Sequence, residues 1–264
     1  MSERRLLVHA DKAAMAETVA ERFLRKLGHV LSDDATVHVI LTGGTMGAAV
    51  LAAVNASPNR DSVAWSRVHF WWGDERWLPR GDAERNETQS REALLDHLDL
   101  DPAQIHAFPA DGEGLDLDEA AATFTAELAA HAAEGSTHPH FEITFLGVGP
   151  DGHIASLFPE RSGVREKSAT VIAVRNSPKP PPERLSLTLP VINSSERIWL
   201  VLAGADKASA LGLTLAGVSA NEVPAAGANG IKRTDFHVDQ EATAEVPESL
   251  TTTEIYWTAA DSPE

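Results

Sequence analysis

Apolar residues in this chain fall into short blocks that stop abruptly at glycine, threonine or charge. These blocks alternate with stretches of helical spacing. Arg5-Leu-Leu-Val-His9 predicts a first strand. Asp11 is placed to cap the next helix, in which Met15, Val19, Phe23, Leu27 and Val30–Leu31 recur at helical intervals. Val37-His-Val-Ile-Leu41 predicts a second strand, which breaks at Thr42-Gly-Gly-Thr45 before an Ala/Val/Leu helix to about Val54. Val68-His-Phe-Trp-Trp72 predicts a third strand, ending in Gly73-Asp-Glu-Arg76. A polar connection from Pro79 to Glu87 then leads to a helix around Ser90–Leu98. Leu117–Ala133 is Ala-rich and reads as helix, and Phe141–Val148 reads as a buried strand ending in Gly149-Pro-Asp-Gly-His153.

Beyond this turn, Val171–Val174, Leu185–Leu189 and Ile198–Leu202 predict strands, and Ala205–Leu215 a helix. Val223–Asp239 is expected to hold a helical turn and a last strand. Four prolines within Pro178–Pro182 stiffen the loop before Arg184, since proline joins neither a helix interior nor a central strand. Strands alternating with helices imply an α/β fold, a largely parallel sheet covered by helices on both faces. No linker, low-complexity tract or internal repeat divides the chain. Residues 1–243 are therefore expected to form one domain, followed by a polar tail, 244–264, broken only by Ile255-Tyr-Trp257.

Composition narrows the function. The 264 residues carry no cysteine, which excludes disulfides, thiolate metal sites and a cysteine nucleophile. The 39 acidic and 22 basic residues give a formal charge of −17, a field that repels nucleic acid. An anionic substrate would therefore need a local basic island. No apolar run is long enough for a membrane span, and Leu6-Leu7-Val8 after Arg4-Arg5 is too short for a signal peptide, so a cytoplasmic protein is expected. Without His-Glu-x-x-His or an Asp-rich loop, no metal is expected. Apart from His153, the histidines show no partner pattern in sequence. The missing Gly-x-Ser-x-Gly argues against a nucleophile-elbow hydrolase.

The chemistry concentrates at strand ends, where open α/β sheets bind ligands. His153, two residues after Asp151, is a candidate general base, since an imidazole titrates near neutrality. Thr42, Gly43, Gly44 and Thr45 form a candidate phosphate cradle, with close-approaching backbone N–H groups at a helix N-terminus. The loop is neither a dinucleotide fingerprint nor a P-loop. Arg76 is placed to grip phosphate bidentately, with Asp74 or Glu75 holding its guanidinium. Arg184 and Lys207, and less strongly Lys179, complete the candidate basic island.

Taken together, Thr42-Gly-Gly-Thr45, Gly73-Asp-Glu-Arg76 and Gly149-Pro-Asp-Gly-His153 resemble the motifs of the 6-phosphogluconolactonase family. That family belongs to a superfamily with glucosamine-6-phosphate deaminase and ribose-5-phosphate isomerase. The resemblance runs from Leu6 to about Thr243. It includes Glu84-Arg-Asn86, Pro178-Lys-Pro-Pro181, Gly204-Ala-Asp-Lys207, Val223-Pro-Ala-Ala226 and Val238-Asp239. Met46 and Ile154 depart mildly from the family pattern. The resemblance implies a Rossmann-like fold and hydrolysis of 6-phospho-D-glucono-1,5-lactone, without cofactor or metal. It implies His153 as base, Asp151 orienting it, and Thr42–Thr45, Arg76, Arg184 and Lys207 on the phosphate. The expected partner is a small phosphorylated sugar lactone, acted on by a monomer or weak homo-oligomer. A deaminase of the superfamily typically carries a glutamate five positions after the histidine, where this chain has Phe158. That departure favours lactone hydrolysis over the isomerase or deaminase alternative. A non-catalytic sugar-phosphate sensor would need the cradle but no base.

Overall fold

The computed structural model describes residues 3–31, 35–244, 246–247 and 256–258. The elements in chain order are β1 (Glu3–His9), α1 (Lys12–Val30), β2 (Val37–Leu41), α2 (Gly44–Ala56), β3 (Val68–Trp72), β4 (Asp74–Arg76), α3 (Asn86–Ala93), α4 (Leu117–Ala130) and β5 (Phe141–Gly147). They continue with α5 (Ser162–Arg165), β6 (Val171–Val174), β7 (Arg184–Leu187), α6 (Leu189–Asn193), β8 (Arg197–Leu202), α7 (Ala208–Leu215), β9 (Arg233–Asp239), α8 (Gln240–Thr243) and β10 (Tyr256–Thr258).

The principal sheet has seven strands in the order β10-β1-β9-β8-β5-β2-β3, and every pairing in it is parallel. Register fixes its two faces. Ile40 lies beside both Trp71 and Thr144, so Phe145 points to the face opposite Trp71. On one face Phe23 of α1 meets Phe145 edge-on at 5.2 Å. On the other, Phe124 of α4 meets Trp71 at 5.9 Å. Helices thus cover both faces, and the buried runs lack polar alternation because neither face meets water. Asp11 caps α1 as its position suggests, accepting from the Ala14 N–H at 2.9 Å, a contact worth about 1 kcal/mol.

A second sheet, β4-β7-β6, is antiparallel and small. Asp74–Arg76, in sequence only the charged end of the third strand, is a separate strand paired with β7. The predicted helix around Ser90–Leu98 begins earlier, at Asn86, and ends in a separate turn at Leu95–His97. Leu189 opens α6 rather than closing β7. Within the segment set apart as a tail, residues 256–258 add the strand β10 beside β1. Among the described residues, no helix is long and apolar enough to cross a membrane.

The chain connects β2 to β3 on one side and β5 to β8 on the other. The crossovers therefore part between β2 and β5, and a crevice opens at their carboxyl ends.

Several histidines that show no partner pattern in sequence do have partners. His9 and His237 stack with ring centroids 5.4 Å apart, their nitrogens at 3.2 Å. Burial, helped by the Arg22 charge and opposed by Asp239, lowers His9 to about 4. Burial, Arg22 and His9 together hold His237 well below its usual 6.5. Both imidazoles fold neutral and must charge in acid. Their stabilising effect is complete above the unfolded value of 6.5 and is lost as pH falls through about 4. The thermal midpoint is expected to fall by several degrees between pH 6.5 and 4, and by less in His9→Gln. A wild-type midpoint flat over that range would contradict this coupling.

Candidate active site

The crevice between β2 and β5 is an open cleft of about 470 Å³. The fold brings Thr42, Gly43, Gly44, Thr45, Asp74, Arg76, His153, Arg184 and Lys207 to the cleft walls, although Lys207 lies 165 positions after Thr42 in the chain. Lys12, Asn86, Lys179 and Asp206 also line it.

His153 follows the tight turn after β5. The Gly152 N–H donates to the Gly149 carbonyl and the Gly149 N–H to the His153 carbonyl, both at 2.9 Å. Gly152 sits at φ +79°, and a Cβ on Gly149 would fall 2.0 Å from His153 Nδ1, so the turn requires both glycines. The turn sets His153 Nδ1 2.5 Å from Asp151 Oδ1. Burial raises the Asp151 carboxyl, but the His153 hydrogen bond and charge, with Lys179, outweigh it and hold the carboxyl well below its usual range. An ionised Asp151 assigns the Nδ1 proton to His153 and leaves Nε2 as the basic nitrogen. Phe158 packs against the imidazole at 4.7 Å, and the Arg184 guanidinium lies 5.7 Å from the Phe158 ring centroid.

The cradle is partly committed to the protein. The Thr42 hydroxyl accepts from the Gly147 N–H at 3.0 Å, tying the ends of β2 and β5 together. The Gly44 N–H donates to Gln89 at 3.0 Å. The next N–H groups of the first turn of α2 open on the cleft, where Thr45 is exposed.

β4 and β7 place Arg76 and Arg184 directly opposite each other. Like charges across a strand pair repel, which an anion between them would relieve. Burial lowers the Arg184 pKa; Asp74, 3.9 Å away, raises it and Arg76 lowers it again. Arg184 also donates to the Pro180 and Pro181 carbonyls, anchoring the proline loop that carries Lys179. Arg76 Nε is buried without an acceptor.

Neither acidic neighbour holds the Arg76 guanidinium as the sequence reading expected; it donates to the Glu84 carbonyl. Asp74 accepts from Ser156 at 2.7 Å and Asn86 at 3.1 Å. Glu75 is 1% exposed, lies outside the cleft wall, and accepts the N–H groups of Arg76, Asn86 and Glu87 at 2.7–2.9 Å. Burial pushes it up to about 7 against Arg85 and those N–H groups. It caps α3 and shapes the wall from behind.

Five cations, Lys12, Arg76, Lys179, Arg184 and Lys207, thus face two carboxylates, Asp74 and Asp206, in the cleft of a strongly acidic chain. Lys207 pairs with Asp206 at 2.9 Å. Lys12 carries no sequence signal of its own, and Asn86, part of the Glu84-Arg-Asn86 motif, is brought here by its bonds to Asp74 of β4.

Residues 10–236 match the profile of glucosamine-6-phosphate isomerases/6-phosphogluconolactonase. The chain belongs to that family. It is 49% identical over 250 residues to a 6-phosphogluconolactonase of Streptomyces coelicolor, covering 93% of this chain and 95% of that protein. With the 6-phosphogluconolactonase of Mycobacterium tuberculosis it shares 41% over 242 residues, 91% of this chain and 97% of the relative. The solved 6-phosphogluconolactonase of Thermotoga maritima superposes with a TM-score of 0.78 at 24% identity, over 90% of this chain and all of that one. A monomeric glucosamine-6-phosphate deaminase superposes at 0.75 with 17% identity, over 91% of this chain and 99% of that one. Since the deaminase shares the fold, fold alone does not separate the family's two chemistries.

Proposed function

We propose that the chain hydrolyses 6-phospho-D-glucono-1,5-lactone to 6-phospho-D-gluconate, a step of the oxidative pentose phosphate pathway, with His153 as general base. The observation that carries this reading is the His153–Asp151 pair in a cation-lined cleft, with the apolar Phe158 against the imidazole. The family's deaminases typically place a glutamate at that position. The 49% and 41% identical relatives, both named 6-phosphogluconolactonase, support the same choice.

In this mechanism His153 Nε2 takes a proton from water as the oxygen attacks C1 of the lactone. Asp151 keeps the Nδ1 proton in place and stabilises the imidazolium. Collapse of the tetrahedral intermediate breaks the C1–ring oxygen bond, and the imidazolium returns its proton to the departing oxygen. The Gly149, Gly152 and Gly44 N–H groups already have acceptors, so they do not supply the oxyanion donors. Lys179, whose Nζ lies 3.4 Å from both His153 Nδ1 and Asp151 Oδ1, sits on the Asp151 side of the ring and steadies that pair. Arg76, Arg184, Lys207 and the start of α2 hold the 6-phosphate, and that remote binding sets C1 beside His153. The same reading has the chain act in the cytoplasm on this small anion, without nucleic acid, as a monomer or weak homo-oligomer.

Arg76→Ala separates phosphate binding from chemistry. With the phosphorylated lactone, kcat/KM is expected to fall about 10²-fold, the loss of a charge-assisted pair. With unphosphorylated gluconolactone it should hardly change. Equal losses on both substrates would remove Arg76 from the phosphate site.

A further inference from the structure

At the opposite end of the strands from the cleft, four separate segments converge on a cluster of imidazoles. His38 and His69 are register partners near the starts of β2 and β3. His106 lies in the connection to α4, and His131 closes α4. One ligand nitrogen from each of His69, His106 and His131 lies within 4.8 Å of the others.

We propose that His69, His106 and His131 bind one divalent transition-metal ion of the zinc class, at a site separate from the lactone cleft.

The nitrogens are arranged as such a site needs. Glu127, one turn before His131 on α4, accepts from His106 Nδ1 at 2.7 Å. That hydrogen bond leaves His106 Nε2 with its lone pair, turned towards His69 Nδ1 at 2.8 Å. A carboxylate behind a ligating histidine, fixing its tautomer and ring direction, is the usual support of a zinc-bound imidazole. Trp71 fixes the ring further, stacking on His106 at 3.9 Å and 7°. The same indole donates to His38 Nδ1 at 3.0 Å, which occupies that histidine and keeps it outside the ligand set. At metal–nitrogen distances of about 2.0–2.1 Å, tetrahedral ligand nitrogens stand about 3.4 Å apart. Side-chain adjustments that open the 2.8 Å pair and close the widest one reach this spacing. The ion then takes the place of the proton shared between His69 and His106. Three neutral nitrogens leave a fourth position for water or for Glu127, which lies 3.3 Å from His131 Nε2. Imidazole sets of this kind suit zinc, cobalt, nickel and copper over magnesium or calcium.

The sequence offered no warning, because the three histidines are far apart in the chain and match no ligand spacing. The absence of local motifs was the basis for expecting no metal, and a site assembled from distant segments escapes that test.

The experiment is calorimetric titration of the tag-free full chain with zinc chloride, alongside His69→Gln, His131→Gln and His153→Ala. The expected result is one equivalent bound with a micromolar or tighter Kd. The two cluster variants should weaken it at least about 30-fold, and His153→Ala should bind like wild type. Both cluster variants should keep the wild-type circular dichroism and lactone hydrolysis. Should either fail to fold, wild type loaded with cobalt(II) should show the intense visible bands of a four-coordinate nitrogen site. Weak cobalt bands of six-coordinate type, no zinc binding below about 1 mM, wild-type zinc affinity in both cluster variants, or loss of binding in His153→Ala would each overturn the proposal.

Discussion

His153→Ala is expected to lower kcat on 6-phosphogluconolactone by about 10² to 10⁴, with KM changed by no more than a few-fold. The argument rests on a division of labour in the cleft. The imidazole sits on the turn after β5, while the cations proposed to hold the phosphate come from β4, β7 and the segment before α7. Removing the ring takes away the proton acceptor and leaves that basic wall in place. The reverse split, a raised KM at constant kcat, would make His153 a binding residue. Asp151→Asn should follow the same pattern, because an amide facing Nδ1 no longer fixes the tautomer that leaves Nε2 basic.

Gly149→Ala is expected to cost about 10²-fold in kcat without touching any group in the reaction. Its added methyl would stand 2.0 Å from His153 Nδ1 and 2.5 Å from Asp151 Oδ1. Neither atom is the free end of a flexible chain, since each is held by the other. The pair must separate or swing out of line, and misplacement on the order of 1 Å costs about that much in rate. Gly212 in α7 is the control, since a Cβ there meets nothing within 4 Å. Gly212→Ala should retain full activity and gain up to about 1 kcal/mol of stability. A fully active Gly149→Ala enzyme would mean that the turn does not need its present shape.

Much of the fold was legible because parallel strands buried on both faces appear as unbroken apolar runs. β2, β3, β5 and β8 stand where those runs stand. β4 was not legible. Asp74, Glu75 and Arg76 are three charges in a row, and they form a strand because Ser156, Asn86 and the start of α3 satisfy the two carboxylates from far along the chain. The early start of α3 has the same origin, since Glu75 caps it from 11 residues upstream of Asn86. The strand ends carried their chemistry in short motifs, so Thr42–Thr45, Arg76 and His153 could be named directly. Lys12 could not, because an exposed lysine opening a helix looks like any other until β1 is set beside β9, and β9 beside β8. Glu75 was named for its motif, yet its carboxylate faces backbone N–H groups behind the wall.

The most direct measurement is the rate of 6-phosphogluconate formation from freshly generated 6-phosphogluconolactone, followed with 6-phosphogluconate dehydrogenase in the presence of EDTA. Release of ammonia from glucosamine 6-phosphate is measured on the same preparation. Wild type should speed lactone opening well above its spontaneous rate, His153→Ala should return it close to that rate, and no ammonia should appear. Ammonia release, or lactone opening no faster than in buffer, would contradict the account.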